Sequence, residues 1–179
     1  MSQTGSNYYN RAKTQTGLLE KIELIIPGFR GYKEKELRRE SDRLVRNQIY
    51  LKLSEAESEV KDVYRSLVNS GVSEAWDDTD HLVARMDRIT QRINHSEYGY
   101  AGFFDAMKVK EPDLDRMIAF DDQLLAQTDT VTQAVNALKD SVNNGRVQEA
   151  RAKVADAAKA VDALELAYNG RKGVIMGAS

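Results

Sequence analysis

The stretch RVQEARAKVADAAKAVDALELAY, residues 146–168, decides the fold class because its apolar residues return at a helical spacing. Two positions of a seven-residue repeat are apolar: Val147, Val154, Val161 and Tyr168 at one, and Ala150, Ala157 and Leu164 at the other. A repeat of this kind places both sets on one side of a helix. The many alanines let a neighbouring helix come close. The stretch therefore predicts a helix over about 146–168 that packs lengthwise against another and ends at Asn169 and Gly170.

The same periodicity in earlier stretches predicts three more long helices, over about 33–69, about 79–96 and from Pro112 to about 143. Their expected apolar stripes are Leu37, Leu44, Leu51, Ala56, Val60, Val63 and Leu67 in the first; Leu82, Met86, Ile89 and Ile93 in the second; and Leu114, Met117, Ile118, Leu124, Leu125, Val131, Val135, Leu138 and Val142 in the third. Asp78 or Thr79 is expected to cap the second of these helices. A short apolar segment, 17–26, precedes them and ends at Pro27 and Gly28.

The turns rich in Gly and Asn at 69–71 and 143–145 are short, which predicts antiparallel neighbouring helices. No stretch has a convincing strand pattern. The sequence therefore predicts an all-α fold, an antiparallel bundle of four main helices with a short N-terminal helix. We expect residues 1–15 to be a flexible leader, 16–170 a single helical-bundle domain, and 171–179 a loose tail.

Composition excludes several classes of site. The net charge of −2 gives no overall attraction to nucleic acid, and the absence of cysteine excludes disulfides, thiolate metal sites and Cys nucleophiles. No apolar run approaches the roughly 20 residues that span a bilayer. The expectation is a soluble, cytoplasmic protein that uses no cofactor and binds no nucleic acid.

Aromatic residues gather in the middle of the chain, where Tyr98, Tyr100, Phe103 and Phe104 surround two glycines within seven residues. The link between the second and third long helices must cross an end of the bundle. Glycine permits its unusual dihedral angles, and the rings supply the bulk that covers the core. The preferred hypothesis is a structural plug. The alternative is a ligand cleft in which the tyrosine hydroxyls and Asp105 make polar contacts.

A basic segment begins the first long helix, with a local charge of +3 over residues 29–46. Asp42 and Arg46 are spaced for pairing within the helix. One interpretation is a solvated helix start. The other is an interaction surface that grips phosphate or lipid headgroups, with candidate residues Phe29, Arg30, Tyr32, Lys33, Lys35, Arg38 and Arg39.

Two segments together resemble a prokaryotic protein family with no assigned activity. They are IPGFRGYKEKELRRESDRLVR, residues 26–46, and YGYAGFFDAMKVKEPDLDRMIAFDDQLL, residues 98–125, called here the first and second motif segments. The resemblance implies that the two segments matter together. It supplies no chemistry and carries over no catalytic residue.

Metal and catalytic motifs were sought and not found in the sequence. His81 has a carboxylate three residues before it, but Arg92 stands three before His95, so the paired Glu-x-x-His pattern of di-iron bundles is missing. Asp121 and Asp122 are expected on a solvated or salt-bridged face, with a divalent ion as the alternative.

The sequence thus favours a non-enzymatic protein that acts through protein–protein contacts, as a scaffold or accessory subunit. A symmetric dimer is the default form of any self-association. The first alternative is a peripheral membrane or anionic-ligand binder that uses residues 18–39. The second is a small-molecule binder at the aromatic segment 98–107.

Overall fold

The computed structural model describes residues 17, 19–27, 35–71, 73–95 and 111–175, all helical or in turns. Four long helices are present: α1 (Lys35–Asn69), α2 (Trp76–Asn94), α3 (Glu111–Asn143) and α4 (Val147–Ile175). A 3₁₀ turn, Ser73–Ala75, precedes α2, and residues 19–25 form a short helical segment. The prediction of an all-α bundle with four main helices is confirmed.

The helices form two antiparallel hairpins that lie side by side. Helices α1 and α2 make the first hairpin, and α3 and α4 make the second. Between the hairpins, α1 packs against α3 and α2 packs against α4, which leaves α2 and α3 on a diagonal. Neighbours therefore run antiparallel within a hairpin and parallel between hairpins.

Ion pairs between α1 and α3 show the parallel direction directly. The Lys52 ammonium lies 2.5 Å from Asp129 Oδ1, and further along both helices the Lys139 ammonium lies 2.6 Å from Glu59 Oε1. The hydrogen bond with Glu59 raises the pKa of Lys139 above its usual 10.5. Both ion pairs are partly exposed, so each adds little to the stability of the fold. Their main effect is on the register of α1 against α3.

Helices α2 and α4 are joined by a similar ladder. Arg151 Nε donates to Asp78 Oδ2 at 3.2 Å, and Arg92 Nη1 donates to Glu165 Oε1 at 2.9 Å. In both bonds the partners are 73 residues apart in the sequence. A constant separation along both helices means that α2 and α4 run parallel. The Tyr168 ring lies 5.5 Å from the Arg92 guanidinium and adds a cation–π contact.

The apolar stripes of α2, α3 and α4 are largely confirmed, since Leu82, Ile93, Val131 and Leu164 are among their fully buried residues. The stripe predicted for α1 is partly wrong. Leu51 is 53% exposed. The buried apolar residues described in that helix are Val45, Ile49, Leu53, Ala56, Val60, Val63 and Leu67. The prediction followed leucines at intervals of seven, whereas the buried positions advance by three and four, as an α-helix requires.

The buried positions of the two hairpins correspond at a constant separation of 75 residues. On α1 and α3 the corresponding pairs are Val45/Phe120, Ile49/Leu124, Leu53/Thr128, Ala56/Val131, Val60/Val135 and Val63/Leu138. On α2 and α4 they are Thr79/Val154, Leu82/Ala157, Met86/Val161, Ile89/Leu164 and Ile93/Tyr168. The second hairpin therefore repeats the burial pattern of the first.

The turns of the two hairpins are also alike. The sequence Val-Asn-Ser-Gly spans the end of α1 and the turn at Gly71, and Val-Asn-Asn-Gly spans the end of α3 and the turn at Gly145. Both glycines have positive φ, 72° and 71°. Each donates its amide to the carbonyl of the valine three residues before it, at 3.2 Å and 3.0 Å. The short turns expected here are thus confirmed.

Two predicted helix boundaries are wrong. Helix α4 continues through Asn169 and Gly170 to Ile175, because Gly170 keeps a helical conformation. Helix α2 starts at Trp76, directly after the 3₁₀ turn Ser73–Ala75. Asp78 and Thr79 therefore lie inside the helix, and neither caps it. Instead the Thr79 hydroxyl donates to the Ala75 carbonyl at 2.6 Å.

Replacing Gly145 by alanine should lower the free energy of unfolding by about 1–2 kcal/mol, because a Cβ is strained at positive φ. Gly170 provides a control of opposite sign. There an added Cβ would meet only Phe120 Cε2, at 3.9 Å, so Gly170→Ala should raise stability by about 0.5–1 kcal/mol. Urea unfolding measures both changes. Equal shifts in the two variants would contradict this assignment.

Candidate functional site

Both motif segments contribute to the same end of the bundle, which we call the motif pole. It comprises the start of α1, the end of α2, the start of α3 and the end of α4. The opposite end, called the turn pole, carries Gly71 and Gly145. The parallel register of α1 and α3 places residues 41–46 of the first segment at the level of Asp121 in the second. The pairing of hairpins thus brings together two stretches that lie far apart in sequence.

A buried ion pair lies at this pole. Asp42 accepts from Arg46 Nε and Nη2 at 2.9 Å each, and the two side chains are only 2% and 11% exposed. The intrahelical pair predicted from the spacing is confirmed. The interpretation of this stretch as a solvated helix start is wrong at Asp42 and at its neighbour Ser41, which is also buried. Such a pair leaves water only because each charge is satisfied inside the protein.

The two consecutive acids of the second motif segment have different surroundings. Asp121 is 1% exposed, so of the expected solvated or salt-bridged face the solvated form is excluded for it. Asp122 Oδ1 lies 2.5 Å from the Lys21 ammonium, so this carboxylate ties the N-terminal helical segment to α3. Asp122 therefore lies on a salt-bridged face, as one form of the expectation had it.

Beside the buried ion pair lies a cavity of about 290 Å³. The described residues that line it come from α1 and from the end of α2: Arg43, Leu44, Arg46, Asn47, Tyr50, Ile93 and Asn94. Its walls carry two guanidinium groups, two carboxamides and one phenol, and no acidic side chain is among these residues. The volume lies near the lower end of the range for small-ligand pockets, about 300–1,000 Å³.

Four of the polar side chains in this wall have no partner among the described residues. Within the described part of the chain, Arg43 forms no ion pair, and the side chains of Asn47, Tyr50 and Asn94 form no hydrogen bond. Arg46 differs because Asp42 holds it. The cavity therefore offers one uncompensated positive charge together with neutral donors, and this combination suits an anionic or strongly polar group.

Most of the site residues predicted from sequence lie outside the described residues. These are Phe29, Arg30, Tyr32 and Lys33 of the basic segment and Tyr98, Tyr100, Phe103, Phe104 and Asp105 of the aromatic segment. Lys35, Arg38 and Arg39 lie in the first turns of α1. Neither the aromatic plug nor the aromatic cleft is tested, and the leader 1–15 likewise falls outside the described ranges.

The N-terminal helical segment directs its apolar face inward. Ile22 and Ile26 are buried in the common core. Leu24 is left 87% exposed. In the alternative of a membrane binder this segment would supply the apolar face, but Ile22 and Ile26 are used in internal packing.

The cavity was not predicted from sequence. Arg43, Asn47 and Tyr50 follow one another at helical spacing, so they share one face of α1. That spacing was available in the sequence. What the sequence did not contain was the position of the end of α2, which supplies Ile93 and Asn94.

Among the described residues, no three acidic or histidine side chains cluster as a metal ion would require. In the same ranges no helix is both long enough and apolar enough to cross a bilayer. Comparison of the chain with protein-family models, curated proteins and solved structures returned no match.

Proposed function

We propose that this chain is a non-enzymatic binding protein that acts through protein–protein contacts at the motif pole, as a scaffold or accessory subunit. One observation carries the proposal: this region combines unpaired polar side chains with highly exposed leucines. Leu24, beside the Lys21–Asp122 pair, is 87% exposed, and Leu166, near the end of α4, is 76% exposed. The unpaired groups of the cavity wall lie at the same pole.

The long sides of the bundle are organised differently. Their charges are used between helices, as in the Lys52–Asp129 and Lys139–Glu59 pairs. Groups already engaged internally have less to offer a partner. Protein interfaces are dominated by a few large apolar or arginine anchors. Among the described residues, the two most exposed leucines, Leu24 and Leu166, lie toward the motif pole.

A capture experiment with point variants tests this proposal. Leu24→Glu and Leu166→Glu should each abolish or strongly weaken capture of a partner by the tagged protein from its native cell. The control is Val68→Glu, since Val68 is 40% exposed and lies toward the turn pole. All three positions are exposed, so the fold should tolerate the charge.

Mass spectrometry of the captured proteins gives the readout. A partner that is held by the wild type and Val68→Glu, and lost by the two other variants, is the expected result. A partner held equally by all four proteins would place the interaction elsewhere and reject the motif pole.

A further inference from the structure

We propose that the cavity beside α1 is a binding site for a small oxyanion, a phosphate or carboxylate group, held by Arg43 with Asn47, Tyr50 and Asn94. This inference rests on the proposed function only in naming the same pole, because it concerns a ligand rather than a protein partner. The cavity of about 290 Å³ is open to solvent, since Arg43, Asn47 and Asn94 are exposed, and it accommodates a ligand of a few heavy atoms.

The charges of the wall favour an anion. Arg46 is neutralised by Asp42 at 2.9 Å, whereas Arg43 has no carboxylate partner within the described ranges. A guanidinium group presents N–H donors in a planar fork that matches two oxygens of a phosphate or carboxylate. The amides and the phenol add neutral donors, which suit the remaining oxygens.

Two of the four proposed contact residues have apolar counterparts in the second hairpin. At the positions 75 residues later, Ile118 stands for Arg43 and Leu125 stands for Tyr50. Both are buried apolar side chains, 5% and 1% exposed. The other two contact residues, Asn47 and Asn94, correspond to polar residues, Asp122 and Asn169. The two hairpins therefore differ at Arg43 and Tyr50, which open a polar cavity where the second hairpin has core.

Thermal unfolding in sodium phosphate, sodium succinate and sodium chloride of matched ionic strength tests the site. Trp76, the single tryptophan, reports unfolding from its place in the first turn of α2, near the turn pole. Phosphate or succinate should raise the midpoint temperature saturably beyond the effect of chloride. A preference for one of the two distinguishes a phosphate from a carboxylate ligand.

Arg43→Gln should weaken the apparent affinity at least about tenfold, because it removes a charged donor. The matched control is Arg65→Gln, since Arg65 is 70% exposed and pairs with Asp62 near the turn pole. The control should bind as the wild type does. An equal response to chloride, or an unchanged affinity in Arg43→Gln, would overturn the proposal.

A second measurement needs no variant. In nitrogen-15 spectra of the wild type, phosphate should shift the side-chain amide signals of Asn47 and Asn94 and leave those of Asn69 and Asn143 at the turn pole unchanged. Uniform shifts at all four would reject the site. If the anion fails to bind while Leu24→Glu and Leu166→Glu still lose the captured partner, the oxyanion site falls and the proposed function stands.

Discussion

Replacing Asp42 by alanine should lower the free energy of unfolding by about 3–5 kcal/mol, which is the usual effect of stranding one member of a buried ion pair. Arg46 would keep its charge in a side chain only 11% exposed, without the carboxylate that now lies 2.9 Å away. The loss is large beside the roughly 5–15 kcal/mol that stabilises a typical native protein.

The matched control is Asp62→Ala. Asp62 also pairs with an arginine one helical turn away on α1, Arg65, at the same distance of 2.9 Å. There the side chains are 61% and 70% exposed, so water replaces the partner and the change should stay within about 0.5 kcal/mol. Urea unfolding followed by Trp76 fluorescence compares the two. Similar losses in both variants would show that burial of the Asp42–Arg46 pair is not what matters.

The second large effect concerns two leucines that stand two residues apart on α1. Leu53→Ala should reduce the free energy of unfolding by about 2–5 kcal/mol, because Leu53 is fully buried and its truncation leaves a cavity in the core. Leu51→Ala should change it by less than about 0.5 kcal/mol, since Leu51 is 53% exposed.

Chemistry, helix and deleted atoms are the same in these two variants, so only burial differs. Thermal or urea midpoints provide the comparison. If Leu51→Ala lowered the free energy of unfolding more than Leu53→Ala, α1 would have to be rotated about its axis. The buried face of α1 would then be the one that the sequence pattern predicts.

The sequence pattern failed on α1 and succeeded on α4 for a physical reason. On α4 the heptad residues Val154, Val161 and Tyr168 alternate with alanines and charges, so only one face can be apolar. On α1, Leu44 and Leu51 share one face, whereas Leu53, two residues after Leu51, lies nearly opposite it. An isolated helix has no preference among such faces, and only the neighbouring helices decide which leucine leaves water.

The repeat between the hairpins was also detectable in principle. Val-Asn-Ser-Gly and Val-Asn-Asn-Gly stand at equivalent places in the sequence. The residues at corresponding core positions, however, are mostly different, as with Leu82 and Ala157 or Leu53 and Thr128. Burial repeats while identity does not, because neighbouring helices need complementary volumes rather than equal ones.

The candidate site could be predicted only in part. The structure places the described parts of the two motif segments at one pole. That the two segments act together, as the resemblance implies, stays a prediction. The 4-residue spacing of Asp42 and Arg46 predicted their pairing, but spacing along one helix carries no information about depth.

By itself, the sequence of this protein determined four long amphipathic helices and the two tight turns, because helical periodicity and glycine at positive φ are local properties of the chain. Only the tertiary structure decided that the hairpins lie side by side with like helices parallel, that Asp42 and Asp121 are buried, and that Arg43 and Asn94 share one cavity. Those outcomes depend on which helix faces meet, and contacts between residues tens of positions apart leave no periodic trace in the sequence.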